Sequence, residues 1–147
     1  MRPIERILVA TDFSVGADAA AEVAAQLARQ LQASVDVVTV VDTSPLADAY
    51  GDVAYRTQRI AEIHNEAGHK AATFADHHLA GIDRVKVHVR DGNTFLEILQ
   101  AALDHGSDLI VMGTHGRTGI AHLLIGSVAE KVVRKSIVPV MTVRGRE

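Results

Sequence analysis

Five short runs of branched aliphatic residues recur along the chain: "RILVA" at 6–10, "SVDVVTVV" at 34–41, "RVKVHV" at 84–89, "DLIVM" at 108–112 and "VPVMTV" at 138–143. Their length and β-branched content predict strands. Between the first two, Ala20, Val23, Ala24, Leu27, Ala28 and Leu31 fall at three- and four-residue spacing, which predicts a helix from about Ser14 to Gln32. A second stripe, Val53, Ile60, Ile63, Ala67, Ala71, Phe74 and His78, predicts a longer helix that ends before Gly81. Phe95, Ile98, Leu99 and Ala102 predict a third, stopped by Gly106, and Val128, Val132 and Val133 a fourth that starts at Ser127. "TSPLADAYGD" at 43–52 is the only irregular connection of any length and reads as a flexible loop.

Strands alternate with helices throughout, which implies parallel strands joined by right-handed crossovers. The fold class is therefore α/β: a three-layer, doubly wound, five-stranded parallel sheet with helices on both faces. "RILVA" and "DLIVM" are nearly continuous apolar runs, as central strands are, whereas Lys86, His88 and Arg90 alternate through the third run as on an edge. Pro139 cannot donate to a ladder and puts the fifth run at the other edge. The predicted strand order is 3-2-1-4-5. No repeat and no second unit is visible, so residues 1–147 read as one domain.

In that order the winding reverses between strands 1 and 4, and ligands bind beyond the carboxyl ends of the strands at such a point. The segments leaving those two ends are "TDFS" and "GTHGRTGIAHLLIGS". Glycines at 113, 116, 119 and 126 let something approach the backbone closely, and bare amides then cradle oxygens. Ser127 with Glu130 matches the capping box S-x-x-E at a helix start, where unpaired N–H groups and the positive dipole end favour phosphate. The alternative is that these glycines only make turns and that Ser127 only caps. The loop matches neither a Walker A sequence nor G-x-G-x-x-G.

Composition narrows the partners. A net charge of −3 with scattered basic residues, and 3% aromatics, provide neither the electrostatic footprint nor the stacking platforms of a nucleic-acid binder. The absence of cysteine excludes thiolate chemistry and disulfides and is compatible with the cytoplasm. No run approaches the roughly 20 apolar residues of a membrane helix, and the N-terminus makes a poor signal peptide.

The spacing G-x-x-G-x9-G-S, from Gly113 through Gly116 to Gly126 and Ser127, resembles the ATP-binding subclass of universal stress proteins, as do "ILVATDFS" and "VTVVD". The resemblance covers essentially the whole chain. It implies ATP held across the crevice, with any Mg²⁺ carried by the nucleotide. Thr11 and Asp12 match family positions at the ribose and adenine side, and Val40 one that offers backbone contacts to adenine. Met112, Gly113 and Gly116 match the loop around ribose and phosphates, and Gly126, Ser127 and Val128 the phosphate-binding helix start. It further implies a homodimer paired through the last strand, "VPVMTV". Asp12 could instead cap the first helix, a role Ser14 could equally fill, and Thr114, His115 and Arg117 could reach outer phosphates or face solvent.

Eight histidines invite a metal reading, but the neighbours His77 and His78, and His64 with His69 five positions on, lack the spacing that puts two rings on one helix face. No protein metal ligand is assigned from sequence. Nor is any catalytic residue, since no clustered carboxylate pair marks a base. The resulting expectation is a cytoplasmic, dimeric, ATP-binding regulatory protein with an unidentified protein partner, no nucleic acid and no membrane insertion. A slow ATPase or phosphotransferase, with Ser127 as a candidate acceptor, and a dimeric interaction module with a structural nucleotide are the alternatives.

Overall fold

Apolar runs that alternate with helical stripes become, in the computed structural model, one parallel sheet of order β3-β2-β1-β4-β5. Residues 2–49, 51–116 and 125–146 are described. Arg117 and Gly119 of the predicted glycine loop lie outside them. The strands are β1 (Arg6–Ala10), β2 (Ser34–Val41), β3 (Val85–Asp91), β4 (Leu109–Gly113) and β5 (Val140–Val143). The helices are α1 (Val15–Leu31), α2 (Leu46–Ala49), α3 (Val53–His78), α4 (Thr94–Asp104) and α5 (Ser127–Lys135). All four strand pairings are parallel, with Val9 opposite both Val37 and Val111.

Side-chain alternation along β1 divides the core. Ile7 and Val9 face α1 and α3, while Leu8 and Ala10 face α4 and α5. Six alanines of α1, from Ala17 to Ala28, are buried against the first face. Their small side chains let the helix lie close to the branched residues of the sheet, where dispersion contacts are densest. On the second face Ile98, Ala101 and Ala102 of α4 and Ala129 and Val132 of α5 complete the layer. Each fully buried branched residue of the central strands contributes about 1.5–3 kcal/mol by removal from water.

Several boundaries differ from the sequence reading. Pro139 precedes β5 rather than lying within it, and its carbonyl accepts from Ile110 N at 2.9 Å. Val53 opens α3 but is 63% exposed, because the first turn of that helix extends past the core. Gly106 follows the C-cap His105 at φ +63°, a left-handed conformation in which Cβ would be strained.

The connection at 43–52, expected to be flexible, contains α2 and is pinned at its start. Asp91, ending β3, accepts from Thr43 N at 3.0 Å and Thr43 Oγ1 at 2.6 Å and pairs with His64 Nε2 of α3 at 2.8 Å. Asp42 holds Ser44 N at 3.0 Å, and Arg56 donates to the Ala47 carbonyl at 2.9 Å. Burial alone would raise the Asp91 carboxyl, but the bonds from Thr43 and His64 outweigh it and hold it below the ordinary carboxylate value. A depressed carboxylate stabilises the fold above its unfolded pKa of about 3.9, and that contribution is lost as pH falls through the lower folded value. Asp91→Asn is expected to cost about 1–2 kcal/mol near neutral pH. In urea unfolding at a series of pH values, the gap between the two proteins should shrink below about pH 4. A gap that stays constant into acid would show that the carboxylate charge is not its source.

Candidate functional site

The turn from β1 into α1 is held by its own side chains. Thr11 Oγ1 accepts from Phe13 N at 3.0 Å, Asp12 Oδ1 from Ser14 N at 3.0 Å, and Ser14 Oγ from Ala17 N at 3.2 Å. Ser14 is thus the N-cap of α1, and Asp12 fixes the residue before the helix. Phe13 sits at φ +64°, a left-handed conformation that costs about 1–2 kcal/mol for a residue with a side chain. Its ring packs edge-on against Phe74 at 6.0 Å, an aromatic contact that offsets part of the strain.

The exit of β4 lies against this turn. A Cβ on Gly116 would stand 2.6 Å from Asp12 Oδ2, so a side chain there would make that carboxylate turn aside. A Cβ on Gly113 would stand 2.8 Å from the carbonyl carbon of Gly16, and one on Gly126 3.0 Å from the Thr114 carbonyl oxygen. None of these three glycines has positive φ. All three are approached closely by the chain's own atoms, most tightly Gly113 by the Gly16 backbone, a closeness the sequence reading attributed to a ligand.

The capping box predicted at α5 is corrected. Gly126 is the N-cap, extended at φ −73° and ψ 164°, and Ser127 is the first helical residue, so its side chain makes no cap hydrogen bond. Glu130 pairs instead with Arg134 one turn on. In contrast, α1, α3 and α4 are capped by the side chains of Ser14, Asp52 and Asn93. The first-turn amides of α5 thus start without a side-chain acceptor among the described residues, and they start at a cavity.

That cavity, of about 300 Å³, lies at the carboxyl ends of the strands where the winding reverses. Thr11 and Asp12 line one side, Val40 and Met112 the floor, Gly113 and Gly116 the loop wall, and Gly126, Ser127 and Val128 the helix start. The fold thus gathers all nine positions singled out from sequence around one space. Val38, Ala10 and Ile98 extend its apolar floor, and Thr94 at the start of α4 adds a hydroxyl. Thr94 and Ile98 were not foreseen; they follow the exit of β3, which faces the same end of the sheet. Thr114 and His115 also line the cavity, and Thr114 Oγ1 lies 3.0 Å from His115 Nδ1.

Away from the cavity, histidines pair with aspartates across elements. His64 meets Asp91, His78 meets Asp18 at 3.1 Å, and His88 Nε2 meets Asp36 Oδ1 at 2.7 Å. His105 stacks on His88, and its pKa is lowered by burial and by the charges of His88 and Arg90, which outweigh Asp36 and Asp104. Arg90 is itself held by Glu97 at 2.8 Å and Asp104 at 3.0 Å.

Among the described residues no helix is long and apolar enough to cross a membrane. Comparison with known proteins agrees with the fold over nearly the whole chain. Residues 3–144 match the universal stress protein family. Universal stress protein MJ0531 of Methanocaldococcus jannaschii is 34% identical over 142 residues, covering 95% of this chain and 82% of the relative. Universal stress protein MJ0577 of the same organism is 31% identical over 153 residues, covering 95% and 94%. The solved structure of MJ0577 superposes with a TM-score of 0.86 at 28% identity, covering 99% of each chain. The universal stress protein UspA from Lactobacillus plantarum superposes with a TM-score of 0.72 at 26% identity, covering 98% and 100%. Sequence, strand order and these likenesses agree, and the chain belongs to the universal stress protein family.

Proposed function

We propose that this protein binds an adenine nucleotide, ATP foremost, in the crevice between the β1 and β4 loops and acts as a cytoplasmic regulator in a stress response. The observation that carries this reading is the start of α5, which opens on the cavity without a side-chain cap. The first-turn amides, uncapped by any side chain among the described residues, and the positive helix end attract phosphate there. The floor of Ala10, Val38, Val40, Ile98 and Met112 suits a flat apolar base. The two ends of the cavity therefore match the two ends of a nucleotide. The spacing of Gly113, Gly116, Gly126 and Ser127, which resembles the ATP-binding subclass, supports the same assignment.

In this reading Gly126, Ser127 and Val128 hold phosphates, Gly113 and Gly116 shape the wall around ribose, and Thr11, Asp12 and Val40 border the nucleoside. ATP would bring any Mg²⁺ with it, since that ion keeps phosphate oxygens as ligands. Asp12 is the one carboxylate among the described lining residues, and it already orders the β1–α1 turn. This favours binding over hydrolysis, which needs a group free to position water. Regulation requires that the nucleotide bind one conformation better than another.

The decisive experiment is to denature freshly purified protein, identify any released nucleotide by chromatography and mass, and titrate the emptied protein with ATP, ADP and AMP by calorimetry. About one adenine nucleotide per chain, or saturable ATP binding, is expected. Neither carried nucleotide nor heat of binding would reduce the cavity to a by-product of loop packing.

A second reading concerns assembly. β5 is an edge strand, Ile137 just before it is 85% exposed, and Met141 within it is partly exposed. Val138 and Val140 pack on this chain's own helical layer, so the outward apolar surface is narrower than the run "VPVMTV" suggests. We propose that a second copy covers this edge. Sedimentation over a concentration series tests it, with a dimer expected at micromolar protein.

A further inference from the structure

We propose that Asp36, His88 and His105 form a binding site for a divalent transition metal of the zinc type. The three come from β2, β3 and the C-cap of α4, and each offers one ligand atom, all within 4.8 Å of one another. His88 Nε2 lies 2.7 Å from Asp36 Oδ1, and the His88 and His105 rings stack at 4.0 Å between centroids with 25° between planes. Two imidazoles and a carboxylate, with further positions open to water, are a donor set that zinc accepts.

The burial of Asp36 favours a cation. It lies mid-strand at 9% exposure, among valines, where a carboxylate must be paired. A divalent ion held between the Asp36 carboxylate and the two stacked imidazole rings would take one ligand atom from each residue and offset the carboxylate's charge. Of the neighbouring cations, Arg90 is held by Glu97 and Asp104 and Arg6 by the His105 carbonyl at 3.2 Å, while Lys86 stands in register opposite Asp36 on β3. His105 is only half-buried and the His88 side chain is 24% exposed, which leaves an ion a way in.

A tetrahedral ion with bonds of about 2.0–2.1 Å holds its ligands about 3.4 Å apart. The Asp36–His88 pair must open slightly and the widest separation must close. Side-chain rotation supplies both, with the backbone ladder between β2 and β3 left in place.

The site is independent of the nucleotide crevice, and its test uses the full chain without nucleotide. Zn²⁺ titration by calorimetry and Co²⁺ titration by visible absorption should each give one ion per chain. His88→Gln and His105→Gln should each weaken binding at least about 10-fold, the lower bound met even by outer partners of metal sites. His64→Gln and His78→Gln, which break the other two histidine–aspartate pairs, should leave it unchanged. Zn²⁺ should raise the Tm of the parent protein and not that of His105→Gln, with circular dichroism to establish that the variant folds. Absence of saturable binding, binding that survives both site variants, or equal loss in His64→Gln would overturn the proposal.

Discussion

Gly16→Ala is expected to destabilise the protein by about 1–3 kcal/mol, the cost of forcing an atom into a packed interior, although it replaces glycine within a helix. Propensity alone gives the opposite sign, since alanine is favoured over glycine in a helix by about 1 kcal/mol. Steric contact decides. A Cβ at Gly16 would stand 2.8 Å from the His115 carbonyl oxygen and 3.7 Å from Gly113 Cα, while Cβ atoms on Gly113 and Gly145 would reach back into Gly16 at 2.8 and 3.1 Å. The first turn of α1, the end of β4 and the segment after β5 thus meet backbone to backbone, and no flexible side chain can yield. Gly68→Ala in α3 is the contrast: its Cβ would meet only Val89 Cγ2, at 3.8 Å. That substitution should stabilise by up to about 1 kcal/mol. Urea unfolding of both variants reads the two signs; if both stabilise, the crossing at Gly16 is looser than these distances imply. Because His115 lines the cavity, Gly16→Ala should also weaken ATP.

The strand order was legible because it depends on local signals: two unbroken apolar runs, one alternating run and one proline. The gathering of both loops at the switch point followed from that order alone. What the glycines touch was not legible. Gly113 needs its missing side chain because of Gly16, and no periodicity links positions so far apart in the chain. The α5 cap was misplaced by one residue, since Gly and Ser both serve as N-caps and the pattern S-x-x-E does not say which of Gly126 and Ser127 is extended. The histidines escaped for a related reason. Spacing tests address one helix face, whereas His64, His78 and His88 find aspartates 27, 60 and 52 residues away. One local signal was available: Asp36 is a lone charge inside the apolar run "SVDVVTVV", and such a residue demands a partner.

Val40→Trp should abolish most nucleotide binding while leaving the fold intact, and it separates ligand effects from structural ones. Val40 lies on β2 opposite Arg90 of β3, half-buried, on the sheet face shared with Val38 and beneath the cavity. An indole there grows into about 300 Å³ of existing space rather than into packed atoms, so no backbone has to move. Stability should stay within about 1 kcal/mol of the parent or rise, because the ring buries apolar area against Ile98 and Met112. The same ring takes the volume assigned to the base, and ATP affinity should fall at least about 100-fold, equivalent to about 2.7 kcal/mol. Gly16→Ala should lose stability and affinity together, since it disturbs the wall through the backbone. Calorimetric ATP titration beside thermal unfolding distinguishes the two patterns. A folded Val40→Trp protein with undiminished ATP affinity would move the base off β2 and leave the α5 amides as the only anchor, a site for phosphate without preference for adenine.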